Sequence, residues 1–186
     1  SIGVMNGVGQ LAERFGLSLE EFCRQLDIVV HGTTTADNTM IEMNGANTGL
    51  LVTEGHRDEI ELRRCHKEEI WDPNATGPLP IARRRARIPI RERMDHTGAV
   101  VRELDEQAVR RGVQRLKQLG VTSIAVMYLF SFVNPEHEKR TREIVLEEFP
   151  DVEHISLSHE VMPRGPEFER VSTTLAADEV LRGALV

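Results

Sequence analysis

The sequence predicts an α/β domain built on a mixed, largely parallel sheet with flanking helices. Apolar runs of strand length, above all Thr122 to Phe130, lie between amphipathic helical patterns. These runs end in Gly-, Asp- or Thr-bearing turns that lead into helices. Helix and strand then alternate through the second half of the chain, which implies parallel pairing and right-handed crossovers.

In order, Ile2, Met5, Val8, Leu11 and Phe15 have helical spacing, closed by Gly16. Ser18-Leu19-Glu20-Glu21 has capping-box spacing, with Leu17 placed to staple onto Phe22 as a second helix starts. Asp27 to His31 is β-branched and reads as a strand, followed by a Gly-Thr loop and a short helix over Thr39–Met43 that Gly45 ends in a left-handed cap. Asn47 to Thr53 is the next strand, and Glu54-Gly55-His56-Arg57-Asp58 turns the chain into a helix over Glu59–Arg64.

Residues 71–80 hold three prolines and a glycine and read as a subdomain boundary, or a mobile excursion, within one partial domain spanning 1–186. Arg83, Arg84, Arg85, Arg87, Arg91 and Arg93 are interleaved with Ile88 and Ile90 and read as an exposed strand. A solvated or subunit-contacting role is expected there ahead of a phosphate patch, because aromatic residues for base stacking are missing. Asp95-His96-Thr97-Gly98 reads as a hairpin turn. Asp105 caps a helix with Val109, Val113, Leu116 and Leu119 along one side, ended by Gly120. Thr122 to Phe130 is continuously apolar, as expected of a central strand covered on both faces. Asn134-Pro135 opens a helix that stops near Phe149-Pro150; His154 to Ser158 is a further strand, and a polar helix starts near Glu167.

The 186 residues, 40% of them hydrophobic, can bury a core. A net charge of -7 lacks the basic surplus that general nucleic-acid binding needs. Two cysteines are too few for a disulfide framework or a four-cysteine metal site, and a cytoplasmic location is expected. Adjacent Cys65 and His66 point apart on a helix, and His154 and His159 lack ligand-spaced carboxylates nearby in sequence, so no metal site is assigned. No apolar run has the length of a membrane span. The chain opens at Ser1 and runs straight into an apolar helix, which reads as the interior of a longer protein.

The most informative stretch is Val30-His31-Gly32-Thr33-Thr34-Thr35. A glycine and three threonines beside a helix start offer backbone N–H groups and hydroxyls where negative charge is favoured. Phosphate or carboxylate suits that chemistry, although Thr and Asp are also ordinary caps. The turn after Thr53 also follows a strand's carboxyl end, where ligands collect in open α/β sheets, and His56 and Arg57 lie on it. Around Arg170, Glu and Ser/Thr residues suit either an anion or a plain helix start.

His31-Gly32-Thr33-Thr34, with Asn38, Glu42, Gly45, Thr48-Gly49-Leu50 and Thr53-x-Gly55-x-x-Asp58, resembles the N-terminal region of the hydantoinase A/5-oxoprolinase family. The likeness continues through Ser131-Phe132-x-Asn134-Pro135-x-His137-Glu138 to Glu169-Arg170-x-Ser172-Thr173-Thr174. It implies part of an acetate kinase/Hsp70/actin-like fold and an enzyme that uses ATP and Mg²⁺ to phosphorylate a cyclic amide for ring-opening hydrolysis. On that picture Gly32, Thr33, Thr34 and Thr35 face phosphate, Thr53 and Gly55 belong to the cleft wall, and His31 or His56 relays a proton. A hydantoinase B-type partner subunit or domain is also implied. The alternatives are a subunit of an acetone/acetophenone-type carboxylase acting on a ketone, and a non-catalytic docking module. The family's upstream Asp-x-Gly-Gly-Thr-type loop has no match here, and Asp37 stands where many relatives have Thr. The isolated 186 residues are therefore expected not to turn over.

Overall fold

A computed structural model describes residues 2–30, 32, 34–66 and 69–183, without the side chains of Thr35, Ala36 and residues 179–183. The chain divides into two compact units, Ser1–Thr33 and Thr34–Val186. In the first unit, helix α1 (Ile2–Arg14) is closed by Gly16 at φ 68°, and α2 (Leu19–Arg24) starts at the predicted capping box. Ser18 Oγ accepts from Glu21 N, and the Glu21 carboxylate accepts from Ser18 N. Phe15 stacks on Phe22 with centroids 5.9 Å apart.

The strand expected over Asp27–His31 is not present among the described residues. Residues 27–30 have no strand partner, and Ile28, Val29 and Val30 are exposed. β-branched composition favours an extended backbone, but a strand requires a second ladder to bond to, and no described strand supplies one.

The second unit opens with α3 (Thr35–Glu42), four residues earlier than predicted. It ends on Met43 in the left-handed conformation, φ 51°, rather than on Gly45. Then come β1 (Thr48–Thr53) and α4 (Glu59–Leu62), which is prolonged by a 3₁₀ turn at Arg63–Cys65. After the Pro/Gly loop, β2 (Arg87–Ile90) leads into the hairpin of β3 (Arg93–Met94) and β4 (Val100–Arg102). The Asp95 carboxylate accepts from Thr97 N, Thr97 Oγ1 and Ala99 N in the hairpin turn. Helix α5 (Glu106–Gln118), β5 (Ser123–Met127), α6 (Glu136–Glu148), β6 (His154–Leu157), the single turn α7 (Ser158–Val161) and α8 (Glu167–Gly183) complete the chain.

Strands β2, β1, β5 and β6 lie side by side in that order, all parallel. The arginine-rich segment is thus an edge strand of the main sheet and not an isolated exposed one, and Arg87 is buried in it. Pro89, with no N–H to give, is tolerated because only one side of β2 is paired.

The pleat sends alternate side chains to opposite faces. Leu51, Ile124 and Val126 face Val109, Val113 and Leu116 of α5 and Ile144 and Val145 of α6. Leu50, Val52, Ala125 and Met127 face Ile60 of α4 and Val171 and Leu175 of α8. The handedness rule explains this division. The step from β1 to β2 runs one way along the sheet and the steps to β5 and β6 run the other, so right-handed crossovers place α4 on one face and α5 and α6 on the other. The two strands whose connections diverge, β1 and β5, are neighbours, and a topological switch point opens between their carboxyl ends.

Candidate functional site

Beyond β1 the chain makes a tight turn in which His56 N donates to Thr53 O at 3.0 Å, with Gly55 at φ 93° as this turn type requires. Beyond β5, Phe130 adopts the left-handed conformation, φ 57°, uncommon for an aromatic residue. Just before it, the Tyr128 carbonyl accepts from Arg170 and the Leu129 N–H, on the other side of the same peptide, donates to Thr53 of β1. The two strand ends are stitched together by Thr53: its Oγ1 accepts from Leu129 N at 3.0 Å and donates to Glu92 Oε1.

Glu92 follows β2 and is buried; its Oε2 accepts from His137 Nδ1 at 2.9 Å. With that proton on Nδ1, the buried Nε2 of His137 has no hydrogen-bond partner. Thr53, Glu92 and His137 therefore form one buried chain joining β1, the segment after β2 and α6.

A second buried cluster lies beyond β5 and β6. Glu138 Oε1 accepts from Tyr128 N at 2.9 Å and from Ser158 Oγ at 2.6 Å. Its Oε2 accepts from His159 N at 3.1 Å and from His159 Nδ1 at 2.6 Å. Ser158 spends its one proton on Glu138, so Ser131 Oγ, 3.1 Å away, donates to Ser158. Arg170 donates to both serines and, through Nη1, to Tyr128 O at 3.1 Å, while its guanidinium lies 5.1 Å from the Phe132 ring centroid. Burial lowers the Arg170 pKa from its ordinary value, opposed by the charges of Glu138 and Glu167. Burial likewise pushes the Tyr128 hydroxyl up, so it stays protonated against Thr141.

The sequence-predicted residues fall around this framework unevenly. Thr53, Gly55 and His56 lie at the switch point, but the Thr53 hydroxyl is already shared between Glu92 and Leu129. His56 Nδ1 is buried without a hydrogen bond, 3.8 Å from Glu59 Oε2. Thr34 is exposed at the amino end of α3 and its side chain makes no capping bond; Thr35 is the first residue of that helix. Gly32 is exposed in the first unit. His31 and Thr33 lie outside the described residues. Sequence reasoning quoted His137 and Glu138 within the family likeness, without a site role, and passed over Glu92. Arg170 points into the protein and bonds serines of two other segments.

The hydantoinase/oxoprolinase N-terminal region, as a family, matches residues 2–149. The chain belongs to that family. Its relatives include the acetophenone carboxylase gamma subunit of Aromatoleum aromaticum, 38% identical over 94% of this chain and 26% of that one. The crystal structure of the ATP-dependent caprolactamase from Pseudomonas jessenii superposes with a TM-score of 0.87 at 32% identity, over 96% of this chain and 26% of that one. The nucleotide-free acetone carboxylase structure gives 0.89 at 26% identity, over 98% and 27%. This hydantoinase/oxoprolinase chain thus spans about a quarter of the length of these relatives. Among its described residues no helix is long and apolar enough to cross a membrane.

Proposed function

We propose that this chain is part of an ATP-dependent enzyme of the hydantoinase/oxoprolinase type that activates a cyclic amide by phosphorylation for ring-opening hydrolysis. The observation that carries the reading is the rigid switch point, where the Thr53–His56 turn rests on the buried Thr53-Glu92-His137 chain. Phosphoryl transfer is catalysed mostly by positioning and by stabilising spread negative charge, and a turn held from beneath suits both. Thr53 then acts by holding the turn, Gly55 by letting the backbone approach a ligand, and His56 by orienting or moving a proton at Nδ1.

The amino end of α3 fits an anion, because its first-turn N–H groups lack a side-chain cap. Gly32, Thr33, Thr34 and Thr35, which run into that helix, are the residues proposed to face phosphate, with His31 beside them. Bound ATP supplies the phosphoryl group that makes the amide oxygen a better leaving group. Mg²⁺ is proposed to enter with the nucleotide, held by its phosphates, one or two carboxylates and water; Glu92 and Glu138 are committed to donors and are not offered for that role. No step is assigned to it here.

A ketone carboxylase subunit is the second reading, favoured by the 38% identity to the acetophenone carboxylase gamma subunit. That relative and the caprolactamase alpha subunit are named as subunits, which supports a partner chain here; that it is of hydantoinase B type is part of the proposal. The test is ADP release by the longer protein with its partner subunit, with hydantoin or 5-oxoproline compared with acetophenone plus bicarbonate. Stimulation by a cyclic amide is expected. Stimulation by the ketone alone replaces the first reading with the second, and no stimulation by either leaves the docking module.

A further inference from the structure

At the opposite edge of the sheet from the switch point, where Asn47 precedes β1 and Arg87 opens β2, lies a cavity of about 680 Å³. Arg83, Arg84, Arg85 and Arg87 line it on one side, and Met43, Leu79, Pro80 and Ile81 supply apolar wall. Its size falls in the range of small-molecule sites.

Two of the four guanidinium groups are committed. Arg84 forms a bidentate pair with Asp58 at 3.0 and 2.9 Å, which lowers the Asp58 pKa. Arg87 donates to Glu61 at 2.7 Å and to Ala82 O at 2.8 Å. Arg87 is 1% exposed, and its Nη1 has no hydrogen-bond acceptor, with Asp58 Oδ1 at 3.6 Å. Arg83 and Arg85 are exposed and have no carboxylate or carbonyl partner among the described residues. Four positive charges thus meet two negative ones, Asp58 and Glu61, and two remain uncompensated. Low-dielectric walls concentrate such a field inside a cleft.

The geometry points to a binding site for the phosphomonoester of a small organic molecule, its phosphate on Arg83 and Arg85 and its carbon skeleton against the apolar wall. A phosphomonoester carries about -1.5 to -2 charges at pH 7, matching the surplus, and guanidinium groups bind phosphate oxygens in pairs. Asp58 and Glu61 hold Arg84 and Arg87 in place, so the positive field exists before the ligand arrives. The assignment does not rest on the nucleotide reading, which concerns the other end of the strands.

The probe is phenyl phosphate, titrated calorimetrically into the wild-type protein, Arg83→Ala/Arg85→Ala and Arg91→Ala. The side chains of Arg83 and Arg85 bond to no described residue, and the Arg83 carbonyl that accepts from Ala86 N is kept in the variant, so the fold stays intact, checked by circular dichroism. Arg91 lies outside the cavity and controls for the loss of a positive charge elsewhere on the chain, one against the double variant's two. Saturable one-site binding is expected, weakened at least about tenfold in the double variant and less than about twofold in Arg91→Ala, as loss of paired charge-assisted bonds implies. Inorganic phosphate is expected to bind more weakly than the ester. Absence of saturable binding, equal weakening by Arg91→Ala, or equal affinity for inorganic phosphate overturns the assignment.

Discussion

Glu138 is the most exacting test of the buried framework, because one fully buried carboxylate accepts four hydrogen bonds from three residues on two segments. In Glu138→Gln the shape is kept and one oxygen becomes an NH₂ group. If the NH₂ stands at Oε2, His159 can change tautomer and accept from it at Nδ1, but the His159 N–H then faces a donor. If it stands at Oε1, the Tyr128 N–H is left facing a donor and Ser158 must turn its proton elsewhere, disturbing the Arg170 contacts. Either arrangement leaves at least one buried N–H unsatisfied, at about 1–3 kcal/mol, and loses at least one charge-assisted bond of about 1.5–3 kcal/mol. Recovery of a neutral bond offsets part of this, so a net loss of about 2–4 kcal/mol is expected. For a chain of this length that lowers Tm by roughly 4–16 °C. Thermal unfolding followed at 222 nm reads it, with urea unfolding as the check on free energy. Glu147→Gln, which removes an exposed ion pair to Arg110, serves as control and is expected to move Tm by no more than about 1–2 °C. A Glu138→Gln loss under about 1 kcal/mol refutes the account of this cluster.

Two further outcomes follow from the same geometry. Thr53→Val keeps the shape but leaves the Leu129 N–H and a Glu92 oxygen unsatisfied, for a loss of about 2–4 kcal/mol in urea unfolding that Thr53→Ser largely restores. Asp178, bonded to Ser156 Oγ at 2.5 Å, is pushed by burial up to about 6 from an ordinary 3.8. A raised carboxyl pKa means that its contribution to stability is complete below about pH 4 and is lost as pH rises through 6. Asp178→Asn should therefore gain on wild type by up to about 3 kcal/mol between pH 4 and 7. Tm measured across that range reads it; a pH-independent difference, or one growing toward acid, contradicts the assignment.

Much of the sheet was legible because burial on both faces leaves an unbroken apolar run, as in Ser123–Met127, and because caps are local chemistry, as at Ser18 and Asp105. Asp27–His31 shows the limit of that logic, since β-branched composition says nothing about whether a partner strand is present. The arginine-rich strand misled for a related reason. Arg87 is buried because Glu61 and the Ala82 carbonyl accept from its guanidinium, with the Asp58 charge 3.6 Å away, and of these only Ala82 is near in sequence. The buried framework was illegible on the same ground: Glu92 meets His137 45 residues away and Arg170 meets Ser131 39 residues away. A usable signal was the pair His137-Glu138 in the first turn of a helix that follows the carboxyl end of a central strand, where charged side chains fall back onto the sheet edge.

The central claim, nucleotide on the Thr loop, is tested most directly by isothermal titration of the longer protein with Mg-ATP, repeated on Thr33→Ala/Thr34→Ala and on the 186-residue chain. The account predicts saturable binding to the longer protein that is lost in the double variant, with weaker or no binding to the shorter chain. Absence of binding to the longer protein, or undiminished binding in the double variant, contradicts it.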